Sequence, residues 1–299
     1  PSLALRMAWR KETLSAPIDL RIIMALTVRT NLAALRSINR LNNTQNSLSG
    51  SLERISSGLR VNKAADDAAG LAVSSRMEAD NVSLRQAMRN ANDGVSLVQT
   101  AEGTLGEITN ILSRMRELSI QSSNGTYSAS DRQLIDKEFI LMKNEIRRIA
   151  SNSTFNGISL LAGRTGAVTL QIGIDNLNTD QISIQMSAIS ASQGALAITT
   201  LSVSTSAGAL AAIASLDAAI NTVNTARAEL GATQNRLESA LSEAATYSEN
   251  LSASYSQIMD LDYASESSNM TRLQIMQQAG VAALGQAKAI SQSVVSLLG

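Results

Sequence analysis

The stretch INRLNNTQNSLSGSLERISSGL, residues 38–59, decides how this chain folds. Its apolar side chains recur at alternating steps of three and four residues, the spacing of helices that pack side by side with a slow left-handed supercoil. Only Gln45 interrupts the series, whose members are Ile38, Leu41, Leu48, Leu52, Ile55 and Leu59. The stretch therefore predicts a long helix that needs another helix as its partner.

The same spacing returns at the other end of the chain. This second stripe consists of Leu273, Met276, Gly280, Ala283, Ala287, Ile290, Val294 and Leu297. Its middle is glycine and alanine, and small residues let neighbouring backbones approach closely. We therefore expect the two terminal helices to meet and to leave apolar surface for a further helix, including one from a second copy.

Composition excludes several classes of function. The 299 residues contain no Cys and no His, and the formal net charge is zero. A thiol site, a zinc site and a Ser-His-Asp triad are thus excluded, and with no cleft motif we predict no enzymatic activity, cofactor or metal. The acidic residues Asp260, Asp262 and Glu266 lack the glycine-centred loop of a calcium hand and are interpreted as a solvated helical face. Zero net charge argues against nucleic acid as a partner, and no apolar run is long enough to predict a membrane span.

Residues 1–23 differ in composition from the remainder. They hold both prolines and the only Trp, and their charges interrupt any apolar core that a cleavable signal peptide would need. We interpret Met24 as the natural start and residues 1–23 as a non-native leader. A genuine disordered leader is the alternative.

Further stripes predict three amphipathic helices in the middle of the chain. The first runs over residues 67–122 and passes through Asn92-Asp93-Gly94, although this triplet normally marks a turn. The second follows Asp131, which can cap it. The third spans about residues 213–258. Three such helices can share one core.

Between the second and third helices the apolar period changes to two. Residues 168–174 and 182–186 alternate and predict a β-hairpin, preceded by a short strand around 158–161. Residues 187–208 are interpreted as a connector. The predicted fold class is mainly α, with long coiled-coil-like helices from both termini packed together and a small β-hairpin region in the middle domain.

Several blocks of sequence resemble the bacterial flagellins. SSGLRVNKAADDAAG (residues 56–70) resembles the segment that joins the inner terminal coiled coil of that family to its long outer helix. The similar blocks that follow in order are RNANDG (89–94), QTAEG (99–103), FNG (155–157), IMDLDYASE (258–266), QQAG (277–280) and the closing SLL (296–298). The resemblance covers residues 24–299.

This resemblance implies a domain organisation and a function. It implies an inner domain of residues 24–66 with 251–299, a middle domain of residues 67–250 with the hairpin near 155–190, and no outer domains. The chain would polymerise into the helical filament of the flagellum, the propeller of motility. The residues expected to pack between subunits are Leu41, Leu48, Leu52, Ile55, Leu59, Leu273, Met276, Ile290, Val294 and Leu297.

The resemblance also implies partners and a location. Such a chain is exported unfolded by the flagellar export apparatus, with a flagellin chaperone and without a cleavable signal peptide. It folds at the extracellular filament tip, where hook-associated and cap proteins act. Two alternatives stay open: the flagellar hook-filament junction protein, which shares the terminal coils, and a surface-displayed flagellin-like adhesin.

One helical segment suggests a host partner. RMRELSIQ (residues 114–121) resembles the flagellin stretch that Toll-like receptor 5 reads in innate immune recognition, which implies receptor contacts from Arg114, Glu117 and Leu118. The alternative is a packing helix in which Met115 and Leu118 belong to the core and Arg114 and Glu117 form a solvated face.

Overall fold

The computed structural model describes residues 30–162, 166–185 and 194–296, without the side chains of residues 290–296. The proposed leader, residues 1–23, lies outside the described part. The described helices are α1 (Leu32–Ser57), α2 (Ala68–Ser123), α3 (Ala129–Asn152), α4 (Ser206–Met259) and α5 (Tyr263–Ser296). The described strands are β1 (Thr154–Phe155), β2 (Ile158–Ser159), β3 (Ala167–Gln171) and β4 (Gln181–Gln185), in two antiparallel pairs. The predicted mainly α class is confirmed.

The chain divides into two compact units. The first unit joins the segment that ends at Leu59 to the segment that begins at Leu261, and the second unit is Arg60–Asp260. The sequence placed the boundaries at 66/67 and 250/251. Both positions differ from the unit boundaries at 59/60 and 260/261. At the second, α4 continues without a break to Met259, and Leu251 within it packs in a buried cluster with Leu84 of α2.

Helix α2 is the main structural element of the second unit. The Asp67 carboxylate accepts the backbone N–H of Gly70 at 2.8 Å and caps the first turn. The helix then runs through Asn92-Asp93-Gly94 as predicted. Tertiary packing explains why: Gly94 is buried, and a Cβ at that position would overlap Cδ1 of Leu170 on β3. The absence of a side chain at Gly94 therefore allows the hairpin to pack against α2.

The core of the second unit lies between α2, α3 and α4. The largest fully buried side chains of these helices include Phe139, Ile146, Leu105, Ile108, Leu112 and Met115. Helix α4 contributes a stripe of Leu216, Val223, Leu230 and Leu237, each at most 1% exposed. Burying each large side chain contributes about 1.5–3 kcal/mol. Among the described helices, α4 is long and apolar enough by length and composition to cross a membrane, and this stripe packs in the protein core.

The hairpin region follows the predicted period of two. In the pair β3–β4, Leu170 lies opposite Ile182 and Val168 opposite Ile184, and both isoleucines are 3% exposed. The predicted short strand near 158–161 is β2, which pairs with β1, a strand that the sequence did not predict. Asn156 and Gly157 join β1 to β2 with positive φ angles of 47° and 76°, the backbone of a two-residue hairpin turn.

The segment before α4 is more than a connector. Leu196, Ile198 and Val203 are each at most 3% exposed and belong to the core. Two side chains of α3 hold the segment. Asp136 Oδ1 accepts the backbone N–H of Val203 at 2.7 Å, and Lys143 Nζ donates to the carbonyl of Leu201 at 2.7 Å. Burial lowers the pKa of the Lys143 ammonium below its ordinary value. The apolar residues were missed because serine, alanine and threonine surround them.

Replacing Asp136 with alanine tests this attachment. The change leaves the N–H of Val203 without its acceptor, and we expect the second unit to lose about 1–3 kcal/mol of unfolding free energy. Urea unfolding measures the loss, and amide exchange at Val203 localises it. The exposed neighbour Lys137 is the control, since Lys137→Ala should change stability by less than about 0.5 kcal/mol. Equal stability of the two variants would contradict the assignment.

Candidate subunit interface

Helices α1 and α5 pack antiparallel in the first unit, which confirms the prediction that the terminal helices meet. At one end, Asn31 Nδ2 donates to the carbonyl of Ala287 at 2.9 Å. At the other, the hydroxyl of Tyr263 donates to the carbonyl of Ile55 at 3.0 Å. Between them, Cδ1 of Leu41 lies 3.3 Å from the point where a Cβ on Gly280 would stand, so the small residue permits close approach.

The face of α1 that meets α5 is narrower than the sequence stripe. We call it the inner stripe; it consists of Leu41, Leu48 and Ile55, seven residues apart, with Thr44 and Ser51 between them. Leu48 is 6% exposed and Ser51 is 1% exposed, while Leu41 and Ile55 are half-buried. Two of these five inward positions, Thr44 and Ser51, are therefore small and polar.

Two other apolar residues of the predicted α1 stripe remain exposed. We call Ile38 and Leu52 the outer stripe; they are 37% and 47% exposed. Leu59, just past the end of α1, is half-buried. The single predicted stripe is thus two neighbouring stripes, because a step of three or four residues is compatible with either side of the helix.

Helix α5 likewise carries both inward-facing and exposed apolar residues. Leu273 is 7% exposed and faces inward, whereas Met276 is 45% exposed. Ile275 and Val281 are also exposed, at 61% and 56%. The side chains of Ile290 and Val294 lie outside the described part of the structure, as does Leu297. Both helices therefore carry large apolar side chains that the described part of the chain leaves exposed.

A buried polar cluster lies on the inner side of the pair. Ser51 Oγ donates to Glu266 Oε1 at 2.5 Å, and Arg54 Nη1 lies 3.8 Å from the same oxygen. Glu266 is only 8% exposed, so its interpretation as part of a solvated face is wrong. Its position seven residues before Leu273 places it on the inward side of α5, a spacing that could have identified it from the sequence. Asp262 instead accepts the N–H of Ala264 at 3.0 Å, in the first turn of α5.

The segment proposed as a receptor contact is part of α2. Arg114 donates to Glu117 at 2.9 Å and to Glu138 of α3 at 3.1 Å, and these bonds raise the pKa of the Arg114 guanidinium. Leu118 is 1% exposed because its helical spacing turns it toward the core. This burial agrees with the alternative in which Leu118 belongs to the core, and of the three residues predicted as receptor contacts, Arg114 and Glu117 are the exposed ones.

Comparison with known proteins gives the family. Residues 28–165 match the family model described as the bacterial flagellin N-terminal helical region, and residues 213–298 match the one described as the C-terminal helical region. The chain is also 40% identical over 285 residues to the flagellar filament 33 kDa core protein of Treponema phagedenis, covering 91% of this chain and 100% of the relative. This chain belongs to the bacterial flagellin family.

A further relative agrees with this membership, and a solved structure shares the fold. A flagellin from Xenorhabdus nematophila is 40% identical over 312 residues, covering 92% of this chain and 100% of that flagellin. A solved structure from Vibrio parahaemolyticus, described as that of a flagellar hook-associated protein, covers 65% of this chain with a TM-score of 0.53 and 14% identity. At that identity the likeness concerns the fold alone.

In this flagellin, the motif of residues 56–70 has a structural role at two helix ends. Gly58 adopts a φ of 73° and its N–H donates to the carbonyl of Arg54 at 2.8 Å, which ends α1. Asp67 caps the start of α2. The motif residues therefore terminate one helix and begin the next.

Proposed function

We propose that this flagellin is the subunit of a bacterial flagellar filament and that its terminal helices pack against those of other copies. The observation that carries the proposal is the uncovered apolar surface on both helices of the first unit, with Leu52, Ile275 and Val281 between 47% and 61% exposed. Large exposed apolar surface marks an interaction site. A surface that binds a different surface on the next copy propagates as an open helix when it does not close a ring.

The residues predicted to pack between subunits have different proposed roles according to their position on α1 and α5. The outer residues Leu52 and Met276 would contact another copy directly. Leu41, Leu48, Ile55 and Leu273 would hold α1 and α5 together so that the outer residues are presented correctly. Leu59, Ile290, Val294 and Leu297 complete the proposed set.

Assembly at the filament tip implies partners and a route. We infer export of the unfolded chain by the flagellar export apparatus, with a flagellin chaperone and without a cleavable signal peptide, and folding beside the cap and hook-associated proteins outside the cell. The sequence suits this route because it has no Cys and no Pro after Pro17. No disulfide can form during export, and beyond Pro17 no proline isomerisation delays folding.

Seeded polymerisation tests the proposed function. The chain beginning at Met24 is mixed with fragments of its own filaments and imaged by electron microscopy, with the 1–299 form in parallel. Long helical filaments are the expected result, and a difference between the two forms would report the effect of residues 1–23. Soluble subunits from both forms despite seeding would contradict the proposal and favour a junction protein or an adhesin.

Recognition by Toll-like receptor 5 is a finer proposal that rests on the exposed pair Arg114 and Glu117. Arg114→Ala in soluble subunits should weaken receptor signalling about tenfold or more, since buried arginines dominate many interfaces. The control is Arg148→Ala on α3, which removes an arginine that is likewise paired within its own helix, with Glu145. Equal signalling by both variants would refute receptor contact through Arg114.

A further inference from the structure

The orientation of α1 in its pair with α5 is not the one that buries most apolar surface. Ser51 faces α5 and is 1% exposed, while its neighbour Leu52 remains 47% exposed. Burial of a leucine side chain favours folding and burial of a serine side chain contributes little by comparison. If apolar burial alone decided the rotation of α1 about its axis, Leu52 would face inward. Another interaction must oppose that rotation.

The opposing interaction is the buried carboxylate of Glu266. It lies on the inward side of α5, and the hydroxyl of Ser51 approaches it to 2.5 Å. Arg54, one turn further along α1, brings its guanidinium to 3.8 Å from the same oxygen. A buried charge that loses its partner is strongly destabilising. A rotation that moved Leu52 inward would carry Ser51 away and leave the carboxylate beside an apolar group.

The other polar contacts between α1 and α5 cannot fix the rotation of α1 about its axis. Gln277 donates to Gln45, but this contact is exposed and water can replace either partner. Asn31 bonds a backbone carbonyl near the end of the pair and is only partly buried. Among the described contacts of the pair, the cluster at Glu266 is the buried one that carries a charge.

We propose that Ser51 and Glu266, supported by Arg54, are positioning residues that select which side of α1 meets α5 and so keep the outer stripe turned toward a second copy. This inference rests on the proposed filament function, because the outer stripe has a use only if another copy covers it. The hydrogen bond would act as a specificity device and not as a source of net stability, since a buried ion pair can often be replaced by packed apolar residues without loss.

The deciding variant is Ser51→Leu with Glu266→Leu in the full chain. Its helix content, measured by circular dichroism, should persist, because packed apolar residues can replace a buried ion pair. Its elongation rate on filament seeds should fall at least about tenfold below that of the parent, because no buried polar pair then keeps Ser51 and not Leu52 against α5.

Two controls separate positioning from ordinary stabilisation. Gln45→Leu with Gln277→Leu removes an exposed polar pair from the same helices and should leave the elongation rate near that of the parent. The exchange Ser51→Glu with Glu266→Ser restores the pair in reverse and should recover most of the elongation rate. A double leucine variant that elongates like the parent would overturn the inference. Failure of the parent itself to elongate on seeds would instead refute the filament function.

Discussion

Replacing Leu52 with aspartate is expected to stop filament growth on seeds while leaving the second unit as stable as in the parent chain. Leu52 is 47% exposed on α1. Covering it with another copy would contribute part of the 1.5–3 kcal/mol of a fully buried leucine, and an aspartate there would add the cost of removing a charge from water. Together these effects predict a loss of elongation of at least about 100-fold.

The measurement is the elongation rate on seeds, followed by light scattering and checked by electron microscopy. Asn46→Asp is the matched control because it adds the same charge to an exposed polar position on the same helix. It should elongate within a few fold of the parent. Thermal unfolding of the soluble chain monitors the second unit, which Leu52 does not belong to. Parent-like elongation by Leu52→Asp would show that the outer stripe is not a subunit contact.

Gly94→Leu should displace the hairpin from α2 and lower the unfolding free energy of the second unit by about 3 kcal/mol, at the upper end of overpacking effects. A Cβ at position 94 would overlap Leu170 and lie 3.3 Å from Cδ1 of Leu237. Leu237 is fully buried, so it has little room to move. Helix propensity acts in the opposite direction, since leucine favours the helix over glycine by somewhat less than about 1 kcal/mol. The steric overlap is therefore expected to outweigh helix propensity, so the substitution lowers the unfolding free energy.

A second glycine of the same helix provides the control for this prediction. Gly103 is exposed, and a Cβ there would meet nothing within 4 Å. Gly103→Leu should therefore stabilise the unit slightly, while Gly94→Leu destabilises it. Adding Leu170→Ala to Gly94→Leu should recover part of the loss, because it removes the side chain that collides. Urea unfolding of the parent, Gly94→Leu, Leu170→Ala and the double variant gives the coupling energy of the two positions. A Gly94→Leu chain as stable as Gly103→Leu would contradict the conclusion that Gly94 allows the hairpin to pack against α2.

Periodicity predicted the elements whose partners are apolar and regular. The passage of α2 through Asn92-Asp93-Gly94 followed from a stripe that stays in register across the triplet. The alternation of residues 168–174 with 182–186 predicted the hairpin, since side chains two residues apart share a face of a strand. The 194–205 segment shows the limit of this reasoning. Leu196, Ile198 and Val203 have no regular spacing, and only tertiary packing places them in the core.

The candidate interface was likewise predicted only in part from the sequence. The sequence by itself determined that both termini form helices with apolar stripes, because a step of three and four residues has no other regular solution. It did not determine which side of α1 turns inward, since Ser51 and Leu52 are adjacent and both border Leu48 and Ile55. That choice belongs to the tertiary structure, where a carboxylate 215 residues further along the chain is buried and must keep a hydrogen-bond donor.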